Sequence, residues 1–182
     1  VSGAALVGSN ITLTAGISMD LRTMGFDLSS IGTGIAAIYA GSSAEVILDG
    51  TDITATGSLS ISAVSDVAAS ATRGSSSSDD ASMDNSIAIV IVNSDSAASI
   101  TGDSDISVLG TVALSATNTV TACAIADASE GSGSAGGVLA LAVVDQTTSA
   151  YIAGAASIDA PTVNEADSIT ISSVSNSTVT TT

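Results

Sequence analysis

The chain has 182 residues, with 18 Asp and Glu against two Arg, no Lys and no His, and a formal net charge of −16 at pH 7. That balance excludes a nucleic-acid-binding surface, which needs Lys and Arg to displace phosphate counterions, and it opposes attachment to an anionic membrane surface. Hydrophobic residues reach 45% but aromatics only 2%, so the chain is neither compositionally disordered nor equipped for a thick aromatic core. Small and β-branched side chains suit a narrow core between close sheets.

Taken in chain order, the first element is SNITLTAG (9–16), where Ile11 and Leu13 alternate with Thr12 and Thr14. A period of two is that of a half-buried strand. LRTMGF (21–26) fits no later passage. GIAAIYAG (34–41) is a modest apolar strand, and AEVILDGTDITATGSLSISAVS (44–65) reads as strand, acidic corner and strand. RGSSSSDDASMDN (73–85) is a Ser/Asp excursion of the kind that forms solvent loops. SIAIVIVN (86–93) follows, and then AASITGDSDISVLGTVALSATN (97–118), which reproduces 44–65.

TVTACAIA (119–126) holds Cys123, the single cysteine, so no internal disulfide can form. Its small apolar neighbours and the lack of a nearby cation predict a buried structural thiol. After the loop SEGSGSAG (129–136) come VLALAVVD (138–145), SAYIAGAASIDA (149–160), the insertion PTVNEA (161–166) and DSITISSVSN (167–176). No apolar run reaches the ~18 residues a transmembrane helix requires.

These passages align as an internal repeat of about 53 residues. Ile47, Ile100 and Ile152 correspond, as do Ile53, Ile106 and Ile158. Gly57 matches Gly110, and Leu59 and Ile61 match Val112 and Leu114, then Ile169 and Ile171. Short strands with Gly, Asp, Asn and Ser corners at a fixed period predict a parallel β-solenoid. One domain, 1–182, is expected: a partial repeat 1–33, then repeats 34–85, 86–136 and 137–182. In the second copy five strands are read, near 86–92, 97–101, 105–108, 111–116 and 119–126. Five is more than one coil usually holds, so each repeat is expected to span two coils. The chain starts in one repeat and ends in another without a polar cap helix, which predicts continuation into a longer rod or head-to-tail polymerisation.

Catalysis is not expected. General acid–base work needs a group tuned near neutral pH, and His and Lys are absent. The carboxylate clusters Asp49/Asp52, Asp103/Asp105 and Asp79/Asp80/Asp84 fall in turns or loops, where Asp side chains bind local backbone amides. No cofactor is assigned. Calcium is the one metal the acids could take, with Asp49, Asp52, Asp103 and Asp105 as its ligands, but the matching corner GAAS (154–157) carries no acid.

The strands 87–92 and 138–144 are apolar on both faces, so both faces are expected to be covered. Ala88, Val90 and Val92, with Ala140, Ala142 and Val144, are the candidates for lateral contact with a neighbouring chain. Burial under the excursions, or against an inner layer, is the other reading of these strands. An ice-binding face is a minor alternative. Thr12/Thr14 and Thr180/Thr182 hint at it, but the equivalent positions Ser60/Ser62 and Ala113/Ser115 carry no regular Thr array.

The order of elements in VLALAVVDQTTSAYIAGAASI (138–158), followed by a strand such as GTVALSATN (110–118), resembles the repeats of large bacterial filamentous haemagglutinin-like and leukotoxin-type filamentous adhesins. The resemblance covers about residues 34–182. It implies a right-handed parallel β-helix, secreted and displayed at the cell surface, with a structural or adhesive role. Partners implied are further copies of the chain, end to end or side by side, and host or matrix glycans, with no nucleic acid and no membrane insertion. The other classes to weigh are a carbohydrate-active β-helix enzyme and an ice-binding solenoid.

Overall fold

The computed structural model describes residues 1–28, 33–74, 83–128, 135–159 and 168–182. They form twelve strands and no helix: β1 (Ala5–Gly8), β2 (Ile11–Thr23), β3 (Phe26–Leu28), β4 (Thr33–Asp49), β5 (Asp52–Ala55), β6 (Leu59–Arg73), β7 (Met83–Thr101), β8 (Asp105–Val108), β9 (Thr111–Ala126), β10 (Ala135–Ile152), β11 (Ser157–Asp159) and β12 (Ser168–Thr181). The period-two pattern sets their faces. In β9, Val112, Leu114, Ala116, Asn118, Val120, Ala122 and Ala124 point inward and are fully buried, while the residues between them face out.

The strands make three sheets that the chain visits in fixed rotation. Sheet I runs β1-β5-β8-β11, sheet II runs β2-β6-β9-β12, and sheet III runs β4-β7-β10 with β3 at the outer edge of β4. All pairings are parallel except the short antiparallel contact of β3 with β4. The sheets have free edges and close into no barrel, an arrangement consistent with a parallel β-solenoid.

Strand register corrects the expected coil. Asp52 pairs with Asp105, Leu59 with Val112, and Val90 with Ala142. Residues 52 or 53 apart are therefore direct neighbours, and one repeat is one circuit of three sheets rather than two coils. The segments read as five strands are three, because 86–92 and 97–101 belong to β7, and 111–116 and 119–126 belong to β9. Asn93–Ser96 and Thr117–Thr119 look like corners in sequence, yet they continue the strands.

The interior shows why. Near sheet I, three sheets meet, and the wide space is filled by Leu48, Ile53, Leu59, Ile61, Ile100, Ile106 and Leu114. Farther along, only sheets II and III face each other. That core is Ala36, Ala40, Ala69, Ala71, Ala88, Ala122, Ala124 and Ala126 with Val67, Val90, Val92 and Val120, the narrow core that the scarcity of aromatics anticipates.

Between the two cores runs a buried polar seam. Ser65 Oγ lies 2.6 Å from Ser42 Oγ and 2.9 Å from Ser94 Oγ. Ser94 Oγ donates to Asn118 Oδ1 at 2.8 Å, and Asn118 Nδ2 donates to the carbonyls of Ser94 at 2.7 Å and Thr147 at 3.2 Å. Gln146 Nε2 continues it to the Asn118 carbonyl at 2.8 Å, and Ser96 Oγ caps the Ala63 carbonyl at 3.0 Å. Ser65, Ser94 and Asn118 are fully buried. Rows of Ala and Val are nearly alike from one position to the next, so a two-residue slide of one sheet over the other changes their packing little. The same slide strands the seam's polar atoms, at about 1–3 kcal/mol each. Thus the seam fixes register.

Register also corrects one row of the repeat. Ile47 pairs with Ser99, whereas Leu48 pairs with Ile100, and Ile100 with Ile152. The inward ladder is Leu48/Ile100/Ile152, and Ile47 is 42% exposed. A one-residue shift in a strand reverses the face.

The corner from sheet III to sheet I holds a glycine in every coil. Gly3, Gly50, Gly102 and Gly154 have φ of 58, 54, 65 and 81°, the left-handed region that a Cβ disfavours. At Gly102 a Cβ would also meet Asp49 Oδ1 at 2.5 Å. Gly102→Ala is therefore expected to destabilise the fold by about 1–2 kcal/mol, read as a lower urea midpoint at unchanged m-value.

Candidate functional site

The acids first proposed for calcium do not converge. Asp52 and Asp105 are register neighbours on the outer side of sheet I, both exposed. Asp105 Oδ1 accepts from Ser157 Oγ at 3.3 Å. Asp49 sits at the preceding corner, where its Oδ1 accepts from Thr101 Oγ1 at 3.3 Å, and Asp103 is exposed in the next turn. Among the described residues, no group of three or more His, Cys, Asp or Glu is placed to hold a metal ion. Asp79 and Asp80 lie outside the described residues. Corner amides are bound by other side chains than those acids: the Thr51 amide donates to Ser104 Oγ at 3.1 Å, and the Ser58 amide to Asn10 Oδ1 at 2.9 Å.

Surfaces, rather than clefts, distinguish the molecule. The outer face of sheet II is rich in hydroxyls. One row reads Thr12, Ser60, Ala113, Thr170 and the next Thr14, Ser62, Ser115, Ser172, with Ser115 Oγ donating to Ser62 Oγ at 3.2 Å. Thr therefore fills neither row: it stands only at the two ends of the first and at one end of the second. Cys123 stands on this face, half-buried between Ser70 and Thr180, and not in the core as its neighbours suggested. The strand's phase places it outward: Ala122 and Ala124 take the inward positions. Arg22, on the same face, pairs in a fork with Asp20 at 3.0 Å through both Nε and a terminal nitrogen. That hydrogen bond, and then the charge of Asp20, raise the Arg22 pKa above its usual value.

The outer face of sheet III is apolar at one end. Its rows are Ile35/Ile87/Leu139, Ala37/Ile89/Leu141 and Tyr39/Ile91/Val143. Tyr39 is 71% exposed, Leu139 50% and Val143 45%. The residues first singled out for lateral contact lie on the opposite side of the same strands. Ala88, Val90 and Val92 are fully buried, and Ala140, Ala142 and Val144 pack against the same core. Sequence reveals that both faces are apolar but not which one is inside. The cue is size: the small row fits the thin core between sheets II and III, and the Ile/Leu row is left outside.

No protein-family model, no curated protein and no solved structure matches the chain. What fold and surfaces define is an all-β protein of stacked parallel sheets, with two broad and chemically different faces. Among the described residues no helix is long and apolar enough to cross a membrane.

Proposed function

We propose that this chain is a structural and adhesive segment of a secreted, cell-surface, right-handed β-solenoid, either a stretch of rod in a large adhesin or a subunit of a filament grown end to end. The observation that carries this reading is what recurs between coils. Inward positions keep their character, as in Ile53/Ile106/Ile158 and Leu59/Val112/Ile169. Outward positions beside them vary more: Asp52/Asp105/Ser157 in the first case and Ser60/Ala113/Thr170 in the second. Such a pattern maintains a shape, whereas a reaction would need one fixed outward constellation. The same ladder holds through the last coil described, where Ile169 and Ile171 of β12 stand in register with Val112 and Leu114. The enzyme and ice-binding readings have less behind them: among the described residues no three acids gather in one group in the first case, and the hydroxyl rows are irregular in the second.

Electron microscopy and scattering across a concentration series test this. Four stacked coils of strands up to 19 residues long make a slab about 60 Å wide, with ~4.8 Å between coils. Filaments of that width with a ~4.8 Å axial repeat would support the subunit reading. A monomeric slab of that maximum dimension would leave only the rod-segment reading. A globular monomer with a radius of gyration near 16 Å, as expected for a compact chain of this length, would overturn both.

A further inference from the structure

The outer face of sheet III combines two features that together specify a partner. Its apolar grid, from Ile35/Ile87/Leu139 to Tyr39/Ile91/Val143, is followed along the same strands by three acids: Asp145 on β10, Asp95 on β7 and Glu45 on β4. Asp145 is level with Asn93 and Gly41, Asp95 with Thr147 and Ser43, and Glu45 with Ser149 and Ala97. The acids thus step diagonally across the sheet, one per strand. At its other end the grid opens into a groove of about 410 Å³ beside Thr33, Asn85, Gly137 and Val138, where the row Thr33/Asn85/Gly137 dips to a glycine.

We propose that this face docks a cationic amphipathic protein segment, one presenting an apolar stripe next to a cluster of Lys or Arg. Charge selects this occupant over the others. A second copy cannot complement the acids, because the chain's only two cations are Arg22 and Arg73. Arg22 is on the outer face of sheet II in its pair with Asp20, and Arg73 is buried. The grid is also small: three strands ~4.8 Å apart and about five residues of ~3.3 Å span a few hundred Å², well short of the ~800 Å² per partner of a stable dimer. An anionic lipid surface meets the same acids and is repelled. For a cationic segment, the acids supply attraction and orientation, and the grid supplies apolar contact. The inference does not depend on the rod reading, since a single chain carries the whole face.

The test uses the full chain and a synthetic helical peptide with Leu on one half of its face and Lys on the other, alongside a peptide in which every Lys is Glu. Calorimetry at low salt should give a Kd of about 10⁻⁵ M for the Lys peptide, the range of small interfaces, and no binding for the Glu peptide. The Glu45→Gln, Asp95→Asn, Asp145→Asn triple variant should weaken binding about tenfold, and the Ile89→Ser, Leu141→Ser double variant by at least as much. Neutralising Asp52, Asp103 and Asp105 on the sheet I side should change it less than about twofold, the loss expected of diffuse charge alone. Equal losses from the two acid sets would overturn the proposal, as would binding of the Glu peptide, capture by anionic vesicles, or self-association that Ile89→Ser, Leu141→Ser abolishes. The acid variants are isosteric, at exposed Glu45 and Asp145 and half-buried Asp95, so they remain informative even if the apolar variant unfolds.

Discussion

Ile100→Ala is expected to lower the unfolding free energy by about 3–4 kcal/mol, while Ile47→Ala changes it by less than about 0.5 kcal/mol. Both residues head the same motif in successive copies, and alignment by eye makes them equivalent. Strand pairing separates them. Ile100 stacks between Leu48 and Ile152 in the wide core with Ile53, Ile106 and Leu114, and it is fully buried. Removing its branched side chain forfeits apolar burial and leaves a cavity that neighbouring coils cannot close without breaking their own ladder hydrogen bonds. Ile47 lies on the outer face of sheet III, 42% exposed, where truncation removes little buried area. Urea titrations of the two variants decide the matter. Comparable losses would mean that the ladder runs through Ile47 and that the strand's phase is reversed.

Asn118→Ala should cost about 2–4 kcal/mol, more than a polar-to-Ala change on a strand surface. The side chain is buried, accepts from Ser94 Oγ and donates to the carbonyls of Ser94 and Thr147. Its loss leaves the buried Ser94 carbonyl and the part-buried Thr147 carbonyl short of a donor, the buried one at about 1–3 kcal/mol before relaxation. Asn118→Leu restores volume but not the donors, and it should recover only part of the loss. Asn118→Asp carries a pH signature. A carboxylate there faces carbonyl oxygens in a dry interior, so its folded pKa is raised above the ordinary value of about 3.9. The variant is then most stable below that value and loses stability as pH rises through the folded pKa. Denaturation at pH 4 and pH 7 reads this directly. A variant equally stable at both would show that position 118 is open to water.

How far the sequence discloses the fold follows from these two residues. Alternation in NITLTA, SLSISA and TVALSA is plain because outward Ser and Thr contrast with inward Ile, Leu and Val, and the positions Ile53, Ile106 and Ile158 align without ambiguity. Coil size is hidden because a polar residue in a strand pattern signals a corner unless its buried partners are known. Ser94 and Asn118 satisfy each other across two sheets, and each alone looks like a turn former. The corner glycines Gly50, Gly102 and Gly154 recur at even spacing in the sequence, and they mark the true circuit better than the Asp residues beside them do. The candidate surface was half legible. That 87–92 and 138–144 are apolar on both faces can be read from composition. Their phase depends on the thickness of the facing core, which is set by Ala69, Ala71, Ala122 and Ala124 on other strands.

The claim on which the whole account rests is that one repeat makes one circuit, held in register by the polar seam. Nuclear Overhauser contacts and amide exchange at Ser94 test it most directly. Ser94 should lie beside Ser42 and Gln146, its register partners, and face Asn118, with the amides of Asn93 through Ser96 protected as strand. Loss of the strand-pair contacts to Ser42 and Gln146, with rapid exchange at those four amides, would mean that the segment is a corner and would contradict the account.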